Sequence, residues 1–166
     1  MSQKILIAYF SATGTVKEMA GKLARVVRAD SFEIEAAEPY TREDLNWQDQ
    51  TSRVSVEMAD GMSRPAVKSV PDLSAYDIIF LGYPIWYGVA PHVVNTFLEA
   101  CDLTGKTVVP FASCSGSGIG DTAKYLAPSA KGAKVRMGMR FANNQALKDF
   151  RTWVDMLKIV DEENLM

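Results

Sequence analysis

Three short segments of this chain carry residue types able to hold a ligand. Ser11-Ala12-Thr13-Gly14-Thr15 follows the apolar run Ile5 to Phe10 and precedes residues at helical spacing. A strand-to-helix junction of this kind gathers free backbone N–H groups at the positive end of a helix dipole. The hydroxyls of Ser11, Thr13 and Thr15 add donors, so the segment suits a phosphate monoester bound without any cation, or else a simple helix cap. The second segment, Gly82-Tyr83-Pro84-Ile85-Trp86-Tyr87-Gly88-Val89-Ala90-Pro91, sets three aromatics and two glycines after another apolar run. Rings exposed there either complete a core rim or offer flat faces to a planar heterocycle, a contact worth roughly 1–3 kcal/mol by analogy with stacked bases. Gly88 leaves the backbone free to approach a ring edge. The third segment, residues 113–120, is rich in serine and glycine, and its backbone suits the polar edge of such a heterocycle.

Competing chemistries each lack a named residue. A Walker A loop needs Gly-Lys-Ser/Thr at its end, where this chain has Val16 and Lys17 after the single Gly14. The run Gly116-Ser117-Gly118-Ile119-Gly120 has the wrong spacing and the wrong strand for a dinucleotide fingerprint. A Gly-x-Ser-x-Gly nucleophile elbow fails because Ser115 stands two before Ser117, where glycine is required. Cys114 as a phosphatase nucleophile lacks an arginine six residues on, since that position is Gly120. Receiver-type phosphotransfer needs aspartates where Ser11 and Tyr83 stand. Neither His92 nor Cys114 is assigned an acid–base duty, and His92 following Pro91 is expected to be exposed or to cap its helix.

These segments need elements to position them. The chain has 166 residues, a net charge of −2 and 48% hydrophobic residues, which fits one domain over 1–166. At that size a domain buries roughly two-thirds of its unfolded surface, so no disulfide or metal staple is required. Cys101 and Cys114 show no ligand or redox spacing and read as reduced thiols of a cytoplasmic protein, and the one histidine excludes a His-rich metal site. The first apolar run is too short for a secretory signal, and nothing approaches the roughly 18 apolar residues of a membrane span. With no basic run, nucleic acid is not an expected partner.

Buried strands are expected at 4–10, 31–35, 77–82 and 107–112, the last in spite of Pro110. An unbroken edge strand over 134–141 alternates apolar and polar residues. Val16, Met19, Ala20, Leu23 and Val27 mark a helix, with further helices over 90–100, 121–127 and a C-terminal stretch carrying Leu147, Phe150, Val154 and Leu157. Alternating strands and helices imply a doubly wound α/β fold with a parallel sheet, and such sheets bind ligands at the carboxyl ends of their strands. Residues 37–72 are polar and long for a connection, and a surface helix is expected near 42–60. Residues 33–60 hold eight acids against two bases, a local charge of −6, read as a solvated face or as a docking patch for a redox partner.

Taken in order, Tyr9-Phe10-Ser11-Ala12-Thr13-Gly14-Thr15, Gly82 to Gly88, Pro91, Phe97-Leu98-Glu99, Gly105-Lys106-Thr107, Pro110-Phe111 and residues 113–120 resemble the flavodoxins, within them the FMN proteins marked by a Gly-Tyr-Pro-Ile-Trp-Trp/Tyr-Gly loop. The resemblance spans nearly the whole chain. It implies a three-layer flavodoxin-like fold, a five-stranded sheet in the order 2-1-3-4-5 and FMN as cofactor. It places the cofactor on Ser11, Ala12, Thr13, Gly14, Thr15 and Val16, on Pro84, Ile85, Trp86, Tyr87 and Gly88, and on Ser113, Cys114, Ser115 and Gly118. Trp86 would line or stack on the flavin, and the Tyr87-Gly88 backbone would lie near its reactive edge. Family loops commonly read Ser-x-Thr-Gly-Asn-Thr, so Val16 replaces the last hydroxyl and FMN retention is expected to be weaker. The implied activity is electron transfer through the flavin, or alternatively an NAD(P)H:quinone-type oxidoreductase. The implied partners are a redox protein, or NAD(P)H and a small acceptor.

Overall fold

The computed structural model describes residues 3–113 and 122–166. Strands β1 (Ile5–Tyr9), β2 (Asp30–Glu33), β3 (Ile78–Pro84), β4 (Thr107–Ser113) and β5 (Lys134–Val135) form a parallel sheet in the order β2-β1-β3-β4-β5, and β6 (Met139–Phe141) also pairs with β4. The expected order is therefore present. Consecutive residues of β1 point to opposite faces, so its unbroken apolar run feeds two cores. Leu6, Ala8 and Phe10 pack with Ile79, Leu81 and Tyr83 beneath α3 (His92–Glu99) and α4 (Thr122–Leu126). Ile5, Ile7 and Tyr9 pack with Ile78, Phe80, Val109 and Phe111 beneath α1 (Thr15–Leu23) and α5 (Leu147–Leu157).

Gly82 is fixed by the second of these cores. A Cβ at this position would lie 2.6 Å from Cε2 of Phe111, a ring that is fully buried and stands 6.3 Å from Trp153. The central strand therefore needs glycine where its carboxyl end enters the second loop.

The fifth position of the sheet is not one unbroken strand. It is split into β5 and β6, with residues 136–138 between them. Pro110 supplies the reason. The amides of Lys134 and Arg136 donate to Lys106 and Val108, so even-numbered residues of β4 face this neighbour, and Pro110, the next of them, has no N–H to give. Pairing resumes at Phe111↔Met139.

The expected helix near 42–60 is mostly absent, and only α2 (Arg53–Ala59) forms. Upstream of it short polar side chains capture backbone amides, Asp44 with Thr41, Asn46 with Gln48 and Asp49 with Thr51, and hold the chain in turns. Ser52 then caps α2 by accepting from the Ser55 amide. Residues 37–72 form a strap that runs past the carboxyl ends of the strands, tied to the strand-two side by Ala37 N to Ala66 O and Lys68 N to Glu35 O. Among the described residues no helix is long and apolar enough to cross a membrane.

Candidate functional site

The first loop opens where β1 and β3 diverge. Phe10 N still donates to Gly82 O, while Ile34 N donates to Tyr9 O on the other flank. The chain then turns through Gly14, whose φ of 96° lies in the left-handed region, straight into α1. Ser11 Oγ accepts from both Gly14 N, at 3.1 Å, and Lys17 N, at 3.2 Å. With both lone pairs engaged, the hydroxyl hydrogen of Ser11 is left to donate outward. The hydroxyls of Thr13 and Thr15 stand 3.4 Å apart at the open end of α1, beside amides that have no partner within the helix. Lys17 is turned to Glu33, 3.6 Å away, so the donors of this loop are neutral. A doubly charged, acceptor-only group fits such a set.

The second loop is a tight reversal. Trp86 and Val89 exchange backbone bonds of 2.8 and 3.1 Å, and the two residues between them, Tyr87 and Gly88, have φ values of 52° and 85°. Positive φ at both central positions is the pattern of a type I′ turn, which costs little for Gly88 and more for Tyr87. The strap secures Tyr87, whose hydroxyl donates to Trp47 O at 2.9 Å and stands 3.0 Å from Ser55 Oγ. Trp86 is held by edge-on rings, Phe10 at 5.7 Å and Tyr40 at 5.4 Å. Tyr40 is in turn clamped. Arg53 lies 3.8 Å over its ring, and Glu57 accepts its hydroxyl at 2.5 Å while pairing with Arg53 at 2.8 Å. Burial first, and then the bond to Glu57, raise the Tyr40 phenol far above its ordinary pKa, so it stays protonated as a donor.

These elements enclose a cleft of about 280 Å³ at the switch point of the sheet, between β1 and β3. It brings together Ser11, Ala12, Thr13, Thr15 and Val16 of the first loop with Pro84, Ile85 and Trp86 of the second and Ser113 at the end of β4. Gly14 shapes the loop without lining the cleft, whereas Tyr87 lines a separate recess against the strap and Gly88 completes the turn. Cys114, Ser115 and Gly118 lie outside the described residues. Val16 borders the cleft although it is 1% exposed and packs into the core under α1. Two lining residues escape the sequence reading, Leu45 of the strap and Asn143 after β6. Nothing local marks Leu45, while Asn143 was findable as a polar residue past the carboxyl end of the fifth strand.

Other titratable groups are structural. His92 is buried rather than exposed or capping, with Nδ1 2.6 Å from Ser63 Oγ, which itself donates to Glu57 O. Burial, then the charge of Arg64, lower its pKa. Burial pushes the Cys101 thiol up to about 11, leaving it a poor nucleophile at neutral pH. Tyr83, fully buried, is pushed up to about 12 and donates to Thr122 at the start of α4.

A family model described as flavodoxin matches residues 4–157. A solved flavoprotein structure from Bacteroides eggerthii DSM 20697 is 45% identical, with a TM-score of 0.89 over 95% of this chain and 99% of that one. A second, from Bacteroides uniformis ATCC 8492, is 40% identical, with a TM-score of 0.88 over 93% and 99%. A flavoprotein of Lactobacillus acidophilus NCFM, solved in complex with FMN, shares the fold at 22% identity, with a TM-score of 0.66 over 90% and 99%. Among curated proteins none matches the chain.

Proposed function

The chain belongs to the flavodoxin family, and from that premise we propose that it binds FMN in the cleft between the first and second loops and transfers electrons through it. The observation that carries this reading is the pairing of a phosphate loop of neutral donors with an immobilised indole at one switch point. Ser11, Thr13, Thr15 and the first amides of α1 hold the phosphate. Such bonds to a charged acceptor are worth roughly 1.5–3 kcal/mol each, enough in combination to retain a monophosphate. Ile85 and Trp86 flank the ring system, and Trp86 is held in its orientation by edge-on contacts with Phe10 and Tyr40. When bound, FMN supplies one- and two-electron redox chemistry, while the protein sets its potential and access.

The face around the cleft suits a redox partner protein with a basic rim. Asp44 and Glu57 are paired with Arg53, Glu33 with Lys17 and Glu35 with Lys68, so the acid-rich stretch is partly compensated. The exposed acids Glu38, Glu43, Asp49 and Asp60 remain to steer such a partner, giving an association rate that falls with salt. A second reading, an FMN-dependent NAD(P)H:quinone-type oxidoreductase, is favoured by the apolar recess next to Trp86.

The test is direct. Purified protein should be yellow, or should become so on titration with FMN to one equivalent. Reduction by a ferredoxin reductase, with no oxidation of NAD(P)H by the flavoprotein alone, supports the carrier. Turnover of NAD(P)H with a quinone supports the reductase. A protein that takes up no FMN overturns both.

A further inference from the structure

The cleft assigned to FMN measures about 280 Å³, just under the roughly 300–1,000 Å³ usual for a small-molecule site, and is short of room for three fused rings and a ribityl phosphate. A recess of about 370 Å³ adjoins it. Leu45, Ile85 and Trp86 line both, and the recess adds Trp47 and Val54 from the strap and Tyr87 from the second loop.

Polar and apolar groups are divided between the two cavities. Hydroxyls and a side-chain amide line the cleft, from Ser11, Thr13, Thr15, Ser113 and Asn143. The recess is walled by aliphatic and aromatic side chains, and its one side-chain oxygen, that of Tyr87, already donates to Trp47 O and stands 3.0 Å from Ser55 Oγ. FMN is divided in the same way. Its ribityl phosphate leaves from the central ring, so the two ends of the ring system point in opposite directions. One is a pyrimidine with carbonyls and an N–H, and the other is a benzene ring carrying only methyl groups. Placed in the recess, the pyrimidine end would lose its hydrogen bonds to water without replacement, a cost the dimethylbenzene end does not carry. Ser113, at the end of β4, is left for the pyrimidine end. The exposure pattern agrees. Val54 is 2% exposed at the back of the recess, while two large rings beside it, Trp47 at 66% and Tyr87 at 56%, stand open for a flat apolar surface to cover.

We propose that the recess receives the dimethylbenzene end of the flavin and that the Trp47 indole covers it, an inference that rests on the FMN reading above. Trp47 is then a cofactor-binding residue supplied by the strap, a segment whose own composition gives no sign of a ligand. Filled in this way, the recess is not open to a small acceptor, which favours the carrier over the reductase.

Trp47 allows a clean test because it secures Tyr87 through its backbone carbonyl, which substitution keeps. FMN and riboflavin are titrated into the apoprotein and followed by flavin fluorescence. Loss of a stacked ring in Trp47→Ala is expected to weaken both by the same factor, about tenfold, while Trp47→Phe stays within about threefold of wild type. A second measurement reads the ring end itself. 8-Chloro-FMN is bound to excess protein and treated with thiophenol, whose thiolate bonds to carbon 8 and expels chloride, with a change in flavin absorbance. On wild type the bound analogue should react at least about tenfold more slowly than free, because a seated ring end is shielded from solvent, and Trp47→Ala should recover most of the difference. Bound 8-chloro-FMN that reacts on wild type as fast as free overturns the proposal and leaves the FMN reading intact. So does Trp47→Ala with unchanged affinity for both flavins, or with weakened affinity for FMN alone, which would put its effect at the phosphate. A wild-type chain that takes up no FMN overturns the functional reading and this inference with it.

Discussion

The guanidinium of Arg53 lies 3.8 Å from the centre of the Tyr40 ring, and the other contacts of that ring reach Trp86 at 5.4 Å and Phe10 at 5.8 Å. A cation in the strap thereby orients an indole on a different element, 33 positions later in the sequence.

Replacing Arg53 by leucine removes the ion pair to Glu57, the bond to Glu38 O and the contact with the Tyr40 ring. Both members of the ion pair are largely shielded, so the loss is expected at about 1–3 kcal/mol of stability. Urea unfolding measures it. Tryptophan emission of the folded variant should shift as Trp86 loosens, and an unchanged spectrum with unchanged stability would contradict the clamp.

Val16 offers a test of the phosphate loop. Val16→Thr places a hydroxyl at a position bordering the cleft, where one more neutral donor should tighten FMN about 5- to 30-fold, equivalent to roughly 1–2 kcal/mol. Ser11→Ala acts in the opposite sense, weakening FMN at least about tenfold, because it removes an outward donor and the acceptor of two loop amides. Fluorescence titration of the apoprotein distinguishes the two.

Gly82→Ala should cost about 2–3 kcal/mol, because the new methyl group would overlap the buried Phe111 ring. Gly21, in the middle of α1 with open space around it, is the control. There alanine is expected to stabilise by up to about 1 kcal/mol through helix propensity. Chemical denaturation of the two variants side by side checks both signs.

His92 predicts a pH dependence. Burial and Arg64 hold its pKa below the ordinary value, against a smaller opposing pull from Glu57 and Asp60. The unfolded chain therefore binds a proton that the folded chain resists, and stability rises with pH across that interval. Lowering the pH through the ordinary imidazole value of about 6.5 should loosen the fold until the folded-state pKa is passed. His92→Gln should flatten the slope of stability against pH between about 5 and 7, measured by urea midpoints.

The parts of the site that the sequence made legible are contiguous in the chain. The Ser11 to Thr15 loop and the Gly82 to Gly88 loop can be read because each follows an apolar run that only a strand covered on both faces explains, and each carries its own chemistry. Pro110 was visible as a weak point in a ladder, but its consequence, the split of the fifth strand, depended on which neighbour its missing N–H would have faced. His92 was misread because nothing in a short polar segment announces that Ser63, 29 residues upstream, will close over it.

The amino-acid order alone determined the doubly wound sheet and the loop in which neutral donors meet a helix end, since both follow from hydrophobic periodicity and from hydroxyl groups placed beside a helix start. Tertiary structure alone decided how the strap sits. Its composition reads as solvated surface, and its position comes from contacts between residues far apart in sequence, Tyr87 with Trp47 and Ser55 and Tyr40 with Trp86, on a backbone that local turns hold short of a longer helix. Such contacts leave no periodic signal, because each is a single pairing between side chains that the strap brings together only once the sheet has formed.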